Sequence, residues 1–247
     1  MNVRRINLEG AVNFRDLGGY PANGGRQTRW RLIFRSDSLA DLTDDDLAVV
    51  QSLGIRTLCD FRLPDESAKK PNRLPENHGI RVVPIGFIPE GTLDMLARIN
   101  TGFYGSAEIS REVLIHYRKF VRDHAAEYRR LFDIILAEEG LPLLMHCTSG
   151  KDRTGFAAAA LLLAAGVPRD VIVEDYAMTN LYRRDIAHLF SNEIARDAIE
   201  MLTAADPRYI ETALDEIDQR FGSTAAWLES LGLDAADQAR LRDVLTE

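Results

Sequence analysis

The chain has few cysteines and no long apolar stretch. Only two cysteines, Cys59 and Cys147, occur among its 247 residues, which is typical of a reducing compartment and excludes a disulfide framework. The longest apolar run, 156–167, is too short to cross a bilayer and is rich in alanine, as a buried helix would be. No apolar segment of a secretory signal peptide follows the arginines near the N-terminus. We therefore expect a cytoplasmic protein without an integral membrane segment; export by a non-standard route stays open as an alternative.

Basic residues are also in deficit. The 30 lysines and arginines against 38 aspartates and glutamates give a formal net charge of −8. Nucleic-acid binders and proteins that attach to anionic membranes depend on a broad basic surface, so we expect no nucleic-acid partner, and any anionic substrate must be attracted locally. With 46% hydrophobic residues the chain is long enough for one sizeable core. We expect a single domain over residues 1–247.

The most informative stretch is the segment HCTSGKDRTG at residues 146–155, which lies between an apolar strand and an Ala/Leu-rich helix. Cys147 and Arg153 are separated by five residues, a spacing that lets a tight loop bring the thiol and the guanidinium to the same point. The backbone N–H groups of 148–153 and the positive end of the helix dipole would surround that point. The segment therefore predicts a phosphate cradle that contains a nucleophile.

The residue types in this segment suit phosphoryl chemistry. A thiolate nucleophile needs surroundings that stabilise its charge, and a helix N-terminus with nearby cations provides them. Arg153 is able to hold two phosphoryl oxygens in a bidentate manner, and Gly150 permits a positive φ where the loop reverses. The alternative, a structural cysteine before an ordinary helix, requires the cysteine, glycine, arginine and a capping threonine, Thr154, to coincide by chance.

The motif HC-x-x-G-K-D-R-T-G resembles the signature loop of the cysteine-dependent protein tyrosine and dual-specificity phosphatases. The segment NFRDLGG at residues 13–19 resembles the N-terminal hallmark of one bacterial branch, whose tyrosine phosphatases also accept phosphoinositides, and a third similar segment, CDFR, lies at 59–62. The resemblance implies a single phosphatase domain that needs no metal or cofactor. Its substrate would be a phosphotyrosine protein or, as the alternative, mainly a phosphoinositide or an inositol phosphate.

The resemblance also implies roles for the residues of the loop. Cys147 would form a cysteinyl phosphate, and Arg153 would stabilise the phosphoryl oxygens. His146 would orient the loop, and the Thr154 hydroxyl would contact the sulfur. The residues expected to contact substrate lie between the nucleophile and the arginine: Thr148, Ser149, Gly150 and Lys151. Lysine at the last of these positions is frequent in phosphatases of inositol lipids, although a solvated lysine that only stabilises the thiolate explains it equally well.

The sequence offers three candidates for the acid that protonates the leaving group. In many tyrosine phosphatases the loop that corresponds to 86–91 carries an aspartic acid, and this chain has none there. Myotubularin-like lipid phosphatases resemble the arrangement found here, an aspartate immediately before the signature arginine. Because a carboxyl that faces a phosphate dianion is favoured in its protonated form, we rank Asp152 first, Asp60 second and Glu90 third.

Several residues outside the loop have two open interpretations. Arg15 and Asp16 either contact the loop or the substrate, or only pin the N-terminal segment. Asp60 either supports the loop or caps a turn. Cys59 is by default a small buried hydrophobe. It also resembles the strand position that supplies a reversible disulfide partner in phosphoinositide 3-phosphatases, in which case it would bond to Cys147.

The periodicity along the chain predicts an α/β fold. Strands at 31–35, 55–61 and 80–85 alternate with helices, one of which begins at Thr43 with Asp46 in a capping box. This order is typical of a central, mostly parallel sheet of about four to five strands flanked by helices, with the site at the carboxyl ends of the strands.

The rest of the chain is expected to be helices and surface connections. One long helix or two consecutive helices are expected over 109–136, followed after the signature loop by a helical C-terminal third in which a lid is an open alternative. The segment 64–77 is interpreted as a surface connection. A basic run is interpreted as a solvated face rather than a basic rim of the site. Its members are Arg26, Arg29, Arg31 and Arg35.

Two other classes compete with a phosphatase. Rhodanese-like sulfurtransferases also place a cysteine in an anion-binding loop before a helix, but their loops lack the pattern found at 146–155. A non-catalytic phosphate-binding module is the other alternative, and the presence of both Cys147 and Arg153 disfavours it.

Overall fold

The computed structural model describes residues 3–76, 79–184 and 194–247. Its centre is a five-stranded sheet in which β1 runs antiparallel to its neighbour and the other strands are mutually parallel. In spatial order the strands are β1 (Arg15–Asp16), β2 (Ile33–Ser36), β5 (Leu143–His146), β3 (Thr57–Asp60) and β4 (Arg81–Pro84). The predicted mostly parallel sheet is confirmed.

Eleven α-helices are found in the described ranges, and they include the predicted helical C-terminal third. They are α1 (Asp44–Ser52), α2 (Pro64–Lys69), α3 (Thr92–Asn100), α4 (Ser106–Asp123), α5 (Ala125–Leu136), α6 (Arg153–Ala165), α7 (Arg169–Ala177), α8 (Arg196–Thr203), α9 (Pro207–Phe221), α10 (Thr224–Ser230) and α11 (Ala235–Leu245). None of these helices is both long enough and apolar enough to cross a bilayer.

The three inner strands β2, β3 and β5 are buried on both faces at every position, as is typical of parallel strands covered by helices. Successive side chains of a strand point to opposite faces, so Leu143 and Met145 enter one core and Leu144 enters another. The larger core lies under helices α3 to α11. The smaller core is covered by α1 and the N-terminal segment.

Two local predictions are confirmed in detail. Asp46 N–H donates to Thr43 Oγ1 at 3.2 Å, and Thr43 N–H donates to Asp46 Oδ2 at 3.0 Å, which is the predicted capping box of α1. The region 109–136 forms two consecutive helices, α4 and α5, and His124 lies between them with non-helical dihedral angles.

Two predictions are wrong in ways that affect the site. The segment 64–77 is not only a surface connection, because its first part forms α2. Pro64 is tolerated at the first helical position, and Glu66 accepts a hydrogen bond from Leu63 N–H at 2.8 Å. Arg35 does not belong to a solvated face: it lies on the inner strand β2 and is fully buried.

Candidate active site

The signature loop begins where the central strand of the sheet ends. β5 stops at His146, which lies beside Ser36 of β2 and Asp60 of β3 in the parallel register. Cys147 follows at the carboxyl edge of the sheet and is 2% exposed. Gly150 has φ 69°, and a Cβ on it would lie 2.6 Å from the Ser36 carbonyl oxygen. Only glycine therefore fits this reversal.

The carbonyl groups of the loop are bonded on its outer side. Asn13 Nδ2 donates to the carbonyl oxygens of Ser149 and Gly150 at 3.3 and 3.4 Å. Arg35 Nη2 donates to the Gly150 carbonyl oxygen at 2.7 Å. Ser38 N–H donates to the Thr148 carbonyl oxygen at 3.1 Å. Since the acceptors are used in this way, the N–H groups of the loop are the part of its backbone left for an anion.

Glu66 and Arg153 form a bidentate ion pair. Arg153 Nη1 donates to Glu66 Oε2 at 2.7 Å, and Nη2 donates to Oε1 at 2.8 Å. Thr148 Oγ1 also donates to this carboxylate, at 2.6 Å. Burial alone would raise the pKa of Glu66, but the hydrogen bonds from Arg153 and Thr148 lower it to about 2. Burial alone would lower the pKa of Arg153, and the bonds to Glu66 raise it above its ordinary value.

Asp152 is the only one of the three ranked acid candidates that lines the cavity beside the loop. Its side chain is 38% exposed, and its Oδ1 accepts a hydrogen bond from the Tyr117 hydroxyl at 2.9 Å. Lys151 Nζ lies 3.4 Å from the same oxygen. Asp152 occupies the N-cap position of α6, yet its side chain makes no capping hydrogen bond.

The other two candidate acids are placed less well. Asp60 is 5% exposed and forms a two-point ion pair with Arg62, at 3.0 Å from Nε to Oδ1 and 2.7 Å from Nη2 to Oδ2. Burial alone would raise the pKa of Asp60, but His146 and Arg62 hold it well below its usual range. Glu90 has a side chain that is 94% exposed, and its nearest cation is Lys119 at 3.8 Å. Because Asp60 is paired with Arg62 and lies beside His146, its surroundings favour a role in supporting the signature loop over a role as the acid.

A buried charge cluster supports the loop from behind. Arg15 Nε donates to Asp175 Oδ1 at 3.1 Å, and Arg35 Nη1 donates to Asp175 Oδ2 at 2.5 Å. Arg15 also donates to the Asn13 side-chain oxygen. Burial alone would raise the pKa of Asp175, but the two arginines hold it well below its usual range. The cluster carries two positive charges and one negative charge beneath Gly150, so the charge behind the cradle is positive.

Sequence reasoning missed Asp175 and Arg35. Asp175 lies inside α7, 160 residues after Arg15 in the chain, and belongs to no motif. The only available signal was the NFRD segment, which pointed to Arg15 and Asp16. Asp16 contacts the N-terminal segment: it accepts hydrogen bonds from the N–H groups of Gly18 and Arg31 at 2.8 and 2.7 Å.

The remaining loop residues have varied surroundings. Lys151 is 3% exposed, and its Nζ donates to the carbonyl oxygens of Leu202 and Ala204, at the C-terminal end of α8, at 2.5 and 3.2 Å. His146 Nδ1 lies 3.1 Å from the Cys147 carbonyl oxygen, and its Nε2 lies 3.4 Å from Asp60 Oδ2. The buried Thr154 hydroxyl has no hydrogen-bond partner within the described ranges. Contact between this hydroxyl and the sulfur therefore stays a prediction.

A cavity of about 490 Å³ opens beside the loop, a size suited to a small-molecule group or a side chain. Its apolar wall comes mainly from α3 and α4, and cationic side chains from two other segments lie on its rim. Burial lowers the pKa of His116, which also lines the cavity, to about 4. The apolar residues include Met95, Leu96, Val113, Phe120 and Leu202, and the rim cations are Lys70, Arg183 and Arg184.

Comparison with known proteins assigns this arrangement to a class. The model of the tyrosine phosphatase family matches residues 6–247. The chain is 30% identical to the triple specificity protein phosphatase PtpB of Mycobacterium tuberculosis, with 96% of this chain and 98% of that protein covered. It is 31% identical to a putative tyrosine-protein phosphatase of Cupriavidus necator, with 91% and 83% covered. The α/β architecture and the cysteine loop are therefore those of a cysteine-dependent phosphatase. The chain belongs to the tyrosine phosphatase family.

A solved structure shows a more distant similarity. The core catalytic domain of the PP-IP phosphatase SIW14 from S. cerevisiae, in complex with citrate, is 14% identical to the chain. The match covers 90% of this chain and 98% of that one, with a TM-score of 0.42.

Proposed function

We propose that the chain hydrolyses phosphate monoesters of phosphotyrosine proteins, and phosphoinositides as a second class, through a cysteinyl phosphate on Cys147. The observation that supports this most directly is the loop itself. Its carbonyl groups are bonded outward, Arg153 is held in a fixed orientation beside it, and Cys147 lies at its start. This is the arrangement that an anion and a nucleophile need in one place.

In the first step the Cys147 thiolate attacks phosphorus, and the S–P bond forms as the P–O bond to the leaving group breaks. Arg153 and the loop N–H groups stabilise the charge on the equatorial oxygens. The Asp152 carboxyl gives its proton to the departing oxygen. The support for this assignment is its position, because Asp152 alone among the ranked acids lines the cavity.

In the second step water attacks the phosphorus of the cysteinyl phosphate. The Asp152 carboxylate accepts a proton from this water, so the acid of the first step is restored. The S–P bond breaks, the thiolate returns to Cys147, and inorganic phosphate leaves. The sum of the two steps is one monoester and one water converted to one alcohol and one phosphate.

The cavity supports both proposed substrate classes. Its apolar wall offers a surface for the ring of a phosphotyrosine. The cations on its rim are each paired with a carboxylate of Asp41, Glu200 or Asp37, and a further phosphate of an inositol lipid would take the place of these partners. The name of the relative PtpB, a triple specificity phosphatase, supports a broad range of substrates. We further propose one phosphatase domain over residues 1–247 and a cytoplasmic location, which the two free thiols favour.

The test uses the full-length protein and p-nitrophenyl phosphate in the presence of EDTA. We expect turnover that vanadate inhibits and that Cys147→Ser abolishes, whereas Cys59→Ser serves as the matched cysteine control and retains turnover. Sulfur transfer from thiosulfate to cyanide would instead indicate a sulfurtransferase. Phosphate binding without turnover would indicate a non-catalytic module. Undiminished turnover in Cys147→Ser would exclude the proposed nucleophile.

A further inference from the structure

Two buried tyrosines form a hydrogen-bonded chain that ends on Asp152. The Tyr117 hydroxyl of α4 donates to Asp152 Oδ1 at 2.9 Å, and it lies 2.5 Å from the Tyr176 hydroxyl of α7. Both tyrosines are 1% exposed, and their rings meet edge to face with centroids 5.9 Å apart. Two helices from different parts of the fold therefore converge on this one carboxylate.

The direction of the chain follows from counting hydrogens. Each phenol has one hydroxyl hydrogen, and Asp152 Oδ1 only accepts, both in the ionised carboxylate and in the acid that carries its proton on Oδ2. Tyr117 therefore gives its hydrogen to Asp152, and Tyr176 must give its own to the Tyr117 oxygen. Burial raises the pKa of both phenols well above the usual value, so both keep these hydrogens. A donor that itself accepts a hydrogen bond is polarised and donates more strongly.

The Asp152 carboxylate is not used to cap α6. A capping aspartate ordinarily has extended dihedral angles and accepts from an N–H group of the first helical turn, whereas Asp152 has φ −81° and ψ −72° and its side chain makes no such bond. Its two oxygens are therefore available for partners outside the helix. The Tyr117 contact and the approach of Lys151 Nζ both fall on Oδ1. Oδ2 has no hydrogen-bond partner in the part of the chain that the structure describes.

We propose that Tyr117 and Tyr176 are positioning residues for the phosphatase reaction: they fix the orientation of the Asp152 carboxyl through Oδ1, so that Oδ2 faces the cavity and meets the leaving group. This inference rests on the proposed role of Asp152 as the acid. Tyr117 also lines the cavity and Tyr176 does not, but the role proposed for both is exerted through Asp152.

Other charged and titratable groups approach Asp152, but they do not replace the tyrosine chain. Lys151 is tied to the end of α8 by the two carbonyl groups that it contacts. Arg153 is engaged by Glu66. His116 of α4 and Tyr209 of α9 lie near enough to be influenced by the charge of Asp152, but neither forms a hydrogen bond with the carboxylate within the described ranges. Tyr117 is thus the group that fixes the direction of the carboxylate.

The test compares kcat/KM for phenyl phosphate, a poor leaving group, with kcat/KM for p-nitrophenyl phosphate, a good one. Asp152→Asn should lower kcat/KM for phenyl phosphate far more than kcat/KM for p-nitrophenyl phosphate, because a good leaving group needs little protonation. Tyr117→Phe should show the same pattern in weaker form, about a tenfold loss on phenyl phosphate and a much smaller loss on p-nitrophenyl phosphate. Tyr176→Phe leaves the Tyr117 contact in place and should give a smaller loss in the same direction.

The control is Tyr104→Phe, since Tyr104 does not line the cavity and its hydroxyl makes no hydrogen bond in the ranges described. It should change neither rate. The double variant Tyr117→Phe/Asp152→Asn should be no slower on phenyl phosphate than Asp152→Asn. A merely structural role would make Tyr117→Phe slow both substrates equally and add to the loss in the double variant. Either result overturns the tyrosine chain.

The two proposals fail in different ways. Equal losses of Asp152→Asn on both substrates would overturn the acid role and the tyrosine chain together. A leaving-group dependence in Asp152→Asn but in neither tyrosine variant would overturn the chain alone. If Tyr117→Phe does not fold, as judged by thermal unfolding, the ratio of the two rates in Tyr176→Phe decides the question.

Discussion

Glu66 performs two tasks with one carboxylate: it caps α2 through Leu63 N–H, and it grips both terminal nitrogens of Arg153. The capping bond fixes the carboxylate, and the carboxylate in turn fixes the plane of the guanidinium. A bidentate ion pair of this kind fixes the orientation of the guanidinium group and also balances its charge. Arg153 is thereby oriented before a substrate arrives.

Glu66→Gln should therefore reduce catalysis more than it reduces stability. The amide keeps the shape of the side chain but accepts from only one of the two guanidinium nitrogens, so Arg153 is less well oriented. We expect kcat/KM to fall about tenfold, the size of one charge-assisted hydrogen bond. Steady-state kinetics on p-nitrophenyl phosphate measures this. Asp65→Asn, on the exposed side of the same helix, is the control; a similar loss in both variants would contradict the role of Glu66.

Asp175→Asn should destabilise the fold, because it leaves two buried arginines without a counter-charge. Breaking a buried ion pair on one side costs about 3–5 kcal/mol, measured here by urea unfolding. Glu174→Gln, exposed on the same helix, should unfold like the wild type. A loss below about 1 kcal/mol in Asp175→Asn would show that the cluster does not hold the loop.

The stability that Asp175 contributes should depend on pH in a defined direction. Its pKa is depressed in the folded state, so the contribution is present above the ordinary value of 3.8 and is lost as pH falls further. The gap between wild type and Asp175→Asn should therefore shrink as pH is lowered from about 4. A gap that widens on acidification would contradict the depressed pKa.

Lys151→Met should test whether the lysine binds substrate or anchors α8. In the structure its Nζ is used by Leu202, Ala204 and Asp152, so it has no free donor for a phosphate. We expect kcat/KM to fall several-fold, and by similar factors on phenyl phosphate and on a short-chain phosphoinositide. Lys69→Met, exposed on α2, is the control. A loss confined to the phosphoinositide would instead support the predicted contact with substrate.

Cys59 and Cys147 should form a disulfide under peroxide only if the loop moves. Cys59 lies on β3, and Cys147 follows the end of the neighbouring parallel strand β5. Both belong to the same core, but Cys59 is in register with Met145, two residues before Cys147. Burial also raises the pKa of Cys59 to about 12, so it reacts as a slow thiol. We expect thiol-reversible inactivation in wild type and largely irreversible inactivation in Cys59→Ser. Equal reversibility in both would exclude Cys59 as the partner.

The sequence alone determined the features that depend on local order. The alternation of strands and helices, the capping box at Thr43 and the reversal at Gly150 each follow from residues within about one turn or one strand of each other. The proximity of Cys147 and Arg153 is also a local feature, because the short loop between them restricts the distance between its two ends. For this reason the amino-acid sequence is sufficient to predict the α/β fold and the phosphatase family.

Only the tertiary structure decided what surrounds that loop. Glu66 is 87 residues from Arg153, Asp175 is 140 residues from Arg35, and Tyr117 is 35 residues from Asp152. Such pairs meet because of the strand order and the packing of helices across the sheet, and no local pattern encodes either. A buried charge such as Arg35 also has the same sequence signature as an exposed one. Its partner, and hence its role, exists only once the chain is folded.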